Sequence, residues 1–283
     1  MTNFIVAIPV CNEPPGILLA TIDAIRESTR RPDHVLIVDN GDREIPGYLM
    51  TEIRSALERG EDPPIRPRHV RPQRNLGCAG AWNLIHRLCD PTTAIVLNAD
   101  CMVAHDTFER MLQDPTPSAV FAYAYGCFRI DPEIRKVVGE FDEEFYPVYL
   151  EDADYRHRLR LAGVTPGNAP LCRRRRDLAG LPDVHVQEWP LDAQVPLWPG
   201  RERSADGIEH GKHDPEGYQG WRGEKLAWFH ASVEKNRARY LRKWGGEPNQ
   251  EAFSVPFDGN SVMGHHGEID AATKAPTDDE TRP

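Results

Sequence analysis

The chain has 283 residues, 40% of them hydrophobic, enough for one large core or two small ones. A formal net charge of −10 argues against nucleic acid as the principal ligand, and the longest apolar runs, such as Ala119 to Tyr125, are far too short to cross a bilayer. The N-terminus MTNFIVAIPV lacks the basic region and cleavage site of a secretion signal, and the six cysteines (11, 78, 89, 101, 127, 172) show no C-x-x-C spacing, so free thiols in the reducing cytoplasm are expected.

Phe4 to Ile8 is a continuous apolar run, the pattern of a strand covered on both faces in a parallel sheet. It stops at Pro9, and Cys11 to Pro15 reads as the following loop. Leu18, Ile22 and Ile25 at helical spacing predict a helix. His34 to Val38 predicts a second buried strand, ending in Asp39-Asn40-Gly41. Strand, helix and strand at this spacing make a βαβ unit with a right-handed crossover. A helix near Tyr48 to Arg59 and a weaker strand around His69 to Arg71 follow. In Arg74 to Asn83, glycines and small residues open a helix with apolar positions Ala81, Leu84, Ile85 and Leu88. Trp82 reads as core rather than as a stacking platform. Thr93 to Leu97 is a further strand, ending in Asn98-Ala99-Asp100.

The polar tips Asn12, Asp39 and Asn98/Asp100 therefore all fall at carboxyl ends of strands, the edge where open α/β sheets bind ligands. Ordinary turn chemistry, rich in Asn, Asp and Gly, is the plain alternative. Two basic runs, Arg66 to Arg74 and Arg173 to Arg176, read as solvated loop rather than as a site for an anion or a membrane surface.

A helix near Asp106 to Leu112 precedes a strand region over Ala119 to Ile130. Phe141 to Gly163 then runs from an acidic, aromatic approach into the pair Glu151-Asp152, with a third carboxylate at Asp154. Tyr155, Leu159 and Ala162 share a helical side with Asp152, and Gly163 sits where a left-handed C-terminal residue is expected. Carboxylates at a helix start lie near the positive end of its dipole, which favours ionisation, and an ionised carboxylate at a cleft can serve as a general base. Common acid enrichment of helix N-termini explains the same residues without function.

Pro166 to Gly223 has few periodic signals and many Pro, Gly, Arg, Trp and His residues, as expected of a lid or insertion. Its aromatics Trp189, Trp198, Tyr218 and Trp221 either stack on sugar faces or pin the loop to the domain. Glu224 to Trp244 predicts a helix with the stripe Leu226, Phe229, Val233, Tyr240 and Trp244, ended by Gly245-Gly246. The polar, acidic C-terminal tail is expected to be disordered.

Five segments, IPVCNEPP, IVDNGD, RNLGCAGAWN, VLNADCMV and FDEEFYPVYLEDADYRHRLRLAG, resemble in that order the segments of family 2 glycosyltransferases of the GT-A fold. NRARYLRKWGG is similar to an ending of bacterial members, of the rhamnosyl- and galactofuranosyl-transferase kind. The resemblance implies a mostly parallel, Rossmann-like α/β sheet flanked by helices, with a C-terminal helical extension. It also implies a division: residues 1–190 form a catalytic domain, 1–100 being its nucleotide half and 101–190 its acceptor half. Residues 191–258 form an irregular loop and a helix packed on that domain, and 259–283 the tail.

The resemblance further implies an inverting transfer from a UDP- or dTDP-sugar to a carbohydrate, lipid-linked or protein hydroxyl, nucleic acid being disfavoured. Pro9, Asn12 and Glu13 would line the nucleotide pocket, and Asp39 would accept the imide N–H of uracil or thymine. Arg74, Asn75 and Gly77 to Gly80 would approach ribose and diphosphate. Asn98-Ala99-Asp100 stands where the family has D-x-D, with Asn98 in place of the first Asp, so Asp100 would carry the bond to Mn²⁺ or Mg²⁺. Asp152 would be the general base, with Glu151 and Asp154 supporting it. His185 would be a further metal ligand, with His210 and His213 as rivals, and His230 is read as structural. Two other classes stay open: a sugar nucleotidyltransferase, which needs a Gly- and Arg-rich loop after the first strand, and a non-catalytic nucleotide- or sugar-binding module.

Overall fold

The computed structural model describes residues 3–59, 63–113, 116–123, 125–168, 172–174 and 224–259. Strand β1 (Phe4–Val10) is followed by helix α1 (Pro15–Arg26), β2 (His34–Asp39), α2 (Gly47–Glu58), β3 (Arg66–Val70), α3 (Gly77–Cys89) and β4 (Thr93–Leu97). Next come β5 (Cys101–Val103), α4 (Thr107–Met111), β6 (Ala119–Tyr123), β7 (Cys127–Ile130), α5 (Pro132–Val138) and α6 (Glu151–Leu161). The short β8 (Gly167–Asn168) and β9 (Cys172–Arg174) precede the long α7 (Glu224–Trp244).

The main sheet has the order β3-β2-β1-β4-β7-β6-β8. The first four strands are parallel; β7 runs antiparallel to β4, and β6 antiparallel to β7. Alternation along the strands feeds two cores. Phe4, Val6, Ile8 and Val10 of β1 join one with α1, α2 and α4, whereas Ile5 and Ala7 join the other with α3 and α6. Central strands covered on both faces must be apolar throughout, which explains why the runs in β1, β2 and β4 were visible in the sequence. Trp82 is buried in the second core, with ring contacts to Tyr125, Phe128 and Phe141.

Three expectations need correction. The basic run at Arg66 is no loop: Arg66–Val70 forms β3, an edge strand with exposed arginines, and an edge tolerates charge because one side of it meets water. Arg173 and Arg174 lie in β9, paired with Met102 and Cys101. The single strand region at Ala119 to Ile130 is a hairpin, and α5 carries no buried residue whose period could have announced it.

Four residues of the stripe expected on α7, Phe229, Val233, Tyr240 and Trp244, are buried, the fifth, the Leu226 side chain, lies outside the described ones, and Gly245 takes a left-handed φ of 72°. Phe145, Leu150 and Ala153 meet Tyr240 and Trp244 in a third, smaller core. Removing a fully buried Trp such as Trp244 typically costs about 3–5 kcal/mol, so α7 is firmly held on α6. Among the described residues, no helix is long and apolar enough to cross a membrane.

Candidate active site

Because β1, β2 and β4 are parallel neighbours, their carboxyl ends share one edge of the sheet. Strand β1 does not stop at Pro9 as expected: Pro9 is its one half-buried position, Val10 still pairs with Asp39, and the loop follows Val10. Asn12 takes a left-handed φ of 64°, and its Oδ1 accepts the Arg43 N–H at 3.2 Å. A Cβ on Gly41 would sit 2.7 Å from that same oxygen, so the β1 and β2 loops close on each other only with glycine there. The Glu13 carboxylate turns back to accept the Cys11 N–H.

Asp39, at the tip of β2, is buried. Its Oδ2 accepts the Ile45 N–H at 2.9 Å and meets Arg71 Nη1 at 2.7 Å, with His69 Nε2 at 3.8 Å. Its Oδ1 is buried and lacks a hydrogen-bond partner among the described residues. Neighbouring Asn40 fastens the start of α3: its Oδ1 accepts the Leu76 N–H at 2.7 Å, and its Nδ2 donates to the Gly77 carbonyl at 3.1 Å. Asn75 accepts the Gly77 N–H at 2.8 Å and reaches Cys11 Sγ at 3.6 Å, whereas Arg74 is exposed. The Tyr146-Pro147 segment covers this turn. The Pro147 carbonyl accepts the Cys78 N–H at 2.9 Å, and a Cβ on Gly77 would lie 2.6 Å from it.

After β4, Asn98-Ala99-Asp100 is anchored from three sides. Asn98 donates its N–H to the Gly126 carbonyl at 2.8 Å and accepts that of Cys101 at 2.9 Å. The buried Thr21 hydroxyl of α1 donates to the Ala99 carbonyl at 2.6 Å. Asp100 is half-buried, with Oδ1 3.8 Å from Cys101 Sγ.

Helix α6 brings the acidic pair to this edge. Glu151 is buried, with one carboxyl oxygen lacking a partner among the described residues. Burial and then the neighbouring Asp152 push its carboxyl well above the ordinary value, against a hydrogen bond from the Cys78 thiol. Asp152 is half-buried and also raised, by burial, with Arg156 opposing. The helix-dipole expectation of an easily ionised pair is thus overturned, because loss of water outweighs the backbone field here. The Cys78 thiol, raised first by burial and then by Glu151, Cys11, Asp152 and Glu13, marks where the β1 loop, α3 and α6 meet. Asp154, further along α6, is saturated by Arg158 Nη2 at 2.8 Å, Lys243 Nζ at 2.6 Å and Trp244 Nε1 at 2.8 Å.

Among the described residues, no three His, Cys, Asp or Glu side chains gather as a ready-made metal site. A half-buried carboxylate at a strand tip nevertheless suits a hard cation that arrives with a diphosphate, since Mg²⁺ and Mn²⁺ sites commonly combine one or two carboxylates with phosphate oxygens. His185, its rivals His210 and His213, and Trp189, Trp198, Tyr218 and Trp221 lie outside the described residues. His230 is exposed on α7, with its ring edge-on to Phe229.

Residues 5–169, more than half of the chain, match the family model described as Glycosyl transferase family 2. The chain belongs to that family. Its fold is GT-A, as in a mannosyltransferase, PcManGT from Pyrobaculum calidifontis, solved with GDP-Man and Mn²⁺; the TM-score is 0.50 at 20% identity, over 63% of this chain and 58% of that one. GalNAc-T7, solved with UDP, GalNAc and Mn²⁺, gives a TM-score of 0.53 at 13% identity, over 88% of this chain and 53% of that one. The family 2 chain thus spans little more than half the length of these proteins, and at such identities the likeness is one of fold. No curated protein sequence matches it.

Sequence reasoning missed Asn40 and Arg71, and took Cys78 only as part of the Gly77 to Gly80 backbone, not as a thiol against Glu151. Asn40 stood inside the IVDNGD segment, adjacent to Asp39, and was legible as a second polar tip. Arg71 was hidden in a basic run, and nothing in the sequence separates its role from that of its neighbours.

Proposed function

We propose that this family 2 chain is an inverting glycosyltransferase that moves a sugar from a UDP- or dTDP-linked donor to an acceptor hydroxyl, aided by Mn²⁺ or Mg²⁺. One observation carries the reading. Asp39 keeps a buried acceptor oxygen, without a partner among the described residues, at the same sheet edge as Asn98–Asp100 and the Glu151–Asp152 pair. A buried acceptor without a donor costs about 1–3 kcal/mol, so a ligand N–H placed there binds with that much in its favour. The single imide N–H of uracil or thymine matches one free oxygen. Guanine presents two adjacent donors, and the second would find Oδ2 already held by Arg71 and the Ile45 N–H. The nucleotides and Mn²⁺ bound by the two similar structures support a nucleotide-sugar donor and a divalent cation.

In the reaction, Asp152 takes the proton of the acceptor hydroxyl as its oxygen attacks the anomeric carbon. The bond from that carbon to the diphosphate breaks, the diphosphate leaves with the electron pair, and the configuration inverts. The upward shift of Asp152 makes it a stronger base than an ordinary carboxylate. Asn75 and the backbone of Gly77 to Gly80 hold ribose and diphosphate. A divalent cation held by Asp100, and by His185 if it reaches the site, would supply Lewis-acid neutralisation of the leaving group. The acceptor is a carbohydrate, lipid-linked or protein hydroxyl, met in the cytoplasm by the domain of residues 1–190.

A thermal-shift screen of nucleotide sugars, with and without Mn²⁺, tests the reading. UDP- and dTDP-sugars should raise the Tm more than GDP-sugars, Asp39→Ala should erase that preference, and Asp100→Ala should erase the Mn²⁺-dependent part. Equal shifts with GDP-mannose would refute the base assignment. If no donor ever released its nucleoside diphosphate, a binding module would be the better description.

A further inference from the structure

The aromatic approach to α6 has no task in this mechanism. Phe145 is buried against Tyr240 of α7, but Tyr146 beside it keeps 39% of its surface open, and Trp228 on α7 keeps 45%. The two open rings meet edge-on, with centroids 6.3 Å apart. Single exposed apolar residues are ordinary, whereas two large rings packed on each other and both left in water form a patch, and patches mark places where something binds.

Both rings are held in place by the backbone around the site. Tyr146 lies against the first residue of α3, where a Cβ on Gly77 would stand 2.9 Å from its Cδ2, and the Pro147 carbonyl accepts the Cys78 N–H at 2.9 Å. Tyr149 and Leu150 then take left-handed φ values of 77° and 75°, and Glu151 and Asp152 follow directly. Side chains other than glycine keep that conformation only where neighbours impose it. Here α7 does so: the buried Asn236 donates to the Val148 carbonyl at 3.0 Å and to the Tyr149 carbonyl at 3.4 Å, and Phe229 meets the Tyr149 ring at 6.0 Å. Trp228 is the residue before Phe229 on that helix. The segment bearing Tyr146 is thus clamped between α3 and α7. It borders the turn proposed for the diphosphate and leads, through Tyr149 and Leu150, into the acid pair.

We infer that Tyr146 and Trp228 form a sugar subsite for the acceptor: the apolar C–H face of a pyranose or furanose ring lies on the pair while the same saccharide presents a hydroxyl to Asp152. The inference rests on the glycosyltransferase reading and deepens it, since it names a saccharide, free or lipid-linked, as the acceptor in place of a protein side chain. The donor has its own contacts deeper in the site, at the buried Asp39 and along the Asn75 to Gly80 turn. The pair is the open rim, and the rim meets the molecule that enters last. A sugar ring combines apolar C–H faces with a border of hydroxyls. Tyr and Trp match it with a flat apolar face and a polar tip, and they lose little rotamer freedom when it lands.

Saturation-transfer NMR on the full chain, with UDP and Mn²⁺ present, tests this against a panel of methyl pyranosides and furanosides. At least one glycoside should bind, with its ring C–H protons saturated most strongly. Trp228→Ala should weaken it roughly tenfold, as should Tyr146→Ala, and Trp228→Phe should recover most of the loss because a flat ring is what the sugar needs. Butyl and methyl glycosides of the same sugar are compared: tighter binding of the butyl form assigns a lipid-linked saccharide, equal binding a free one. No binding by any glycoside, or equal binding by the parent chain and Trp228→Ala, overturns the inference. It is overturned as well if Trp228→Ala weakens the donor in place of the glycoside, which would give the rings to the donor's own sugar, or if it lowers the Tm sharply, which would give Trp228 to the fold. Should Tyr146→Ala disturb the turn on which it packs, Trp228→Ala decides alone. UDP failing to bind the parent chain would sink the donor reading instead, while glycoside binding, repeated without UDP, is read independently of it.

Discussion

Asp152 and Asp154 stand two positions apart on α6 and meet opposite surroundings. Asp154 is fully buried, yet Arg158, Lys243 and Trp244 all donate to it. Asp152 is held by backbone N–H groups, the neighbouring Ala153 N–H at 2.7 Å among them, with Arg156 favouring its charge, and its companion Glu151 keeps an oxygen without a partner among the described residues. The contrast extends to two regions. At the joint between α6 and α7, burial opposes ionisation of Asp142, but Lys243 and Arg239 outweigh it and hold the carboxyl below its ordinary value. Glu251 is likewise held low against burial, by Tyr240 and Arg160. At the sheet edge the opposing groups do not outweigh the same burial, and Glu151 and Asp152 are pushed up. Burial is common to both regions. The supply of donors sets the direction: acids that hold the fold together are saturated by the chain, and acids of the proposed site are left for a ligand to complete.

The largest effect expected from breaking this contrast is in catalysis. Asp152→Asn should lower transfer by roughly 10²- to 10⁴-fold, the usual weight of general-base help. It should do so without lowering the Tm at neutral pH, since a carboxyl raised by burial opposes folding when ionised. A large fall in Tm would place Asp152 with the structural acids instead. Next in size is the joint itself. Lys243, buried between Asp142 and Asp154, makes ion pairs of 2.8 and 2.6 Å. Lys243→Met takes from both acids the cation they share, leaving Asp142 to Arg239 and Asp154 to Arg158 and Trp244. It should cost up to roughly 3–5 kcal/mol in denaturant unfolding; a loss under about 1 kcal/mol would show that α7 is held by apolar packing alone.

Gly77→Ala probes the boundary between the regions, where a left-handed φ of 71° meets the Pro147 carbonyl. Strain of about 1–3 kcal/mol should lift Tyr146-Pro147 off α3 and weaken nucleotide binding, as read by calorimetry with UDP. The smallest effect is in the pH profile. Asp142 and Glu251, lowered in the fold, contribute stability that is complete above the ordinary carboxylate range and lost as pH falls from about 5 through their folded values. Glu151 and Asp152, raised in the fold, act in the opposite sense and favour the folded state as they take up protons. Tm against pH in Lys243→Met should therefore show a shallower acid-side fall than in the parent chain.

The sequence by itself determined the strands and helices whose apolar residues repeat with a fixed period. β1, β2 and β4 are covered on both faces, and α7 on one side, so burial wrote itself into residue type. It also determined which strand tips carry Asn12, Asp39 and Asp100, because parallel βα units put polar turns at one edge. Only the tertiary structure decided that Arg66–Val70 is an edge strand and that Ala119 to Ile130 folds back as a hairpin, since neither an edge nor a turn inside an apolar run changes the local pattern. It alone separated Asp154 from Asp152. The physical reason is that the charge state of a buried group depends on donors far away in the chain: Lys243 and Trp244 reach Asp154 across α7, and no local spacing on α6 records which of its acids they choose.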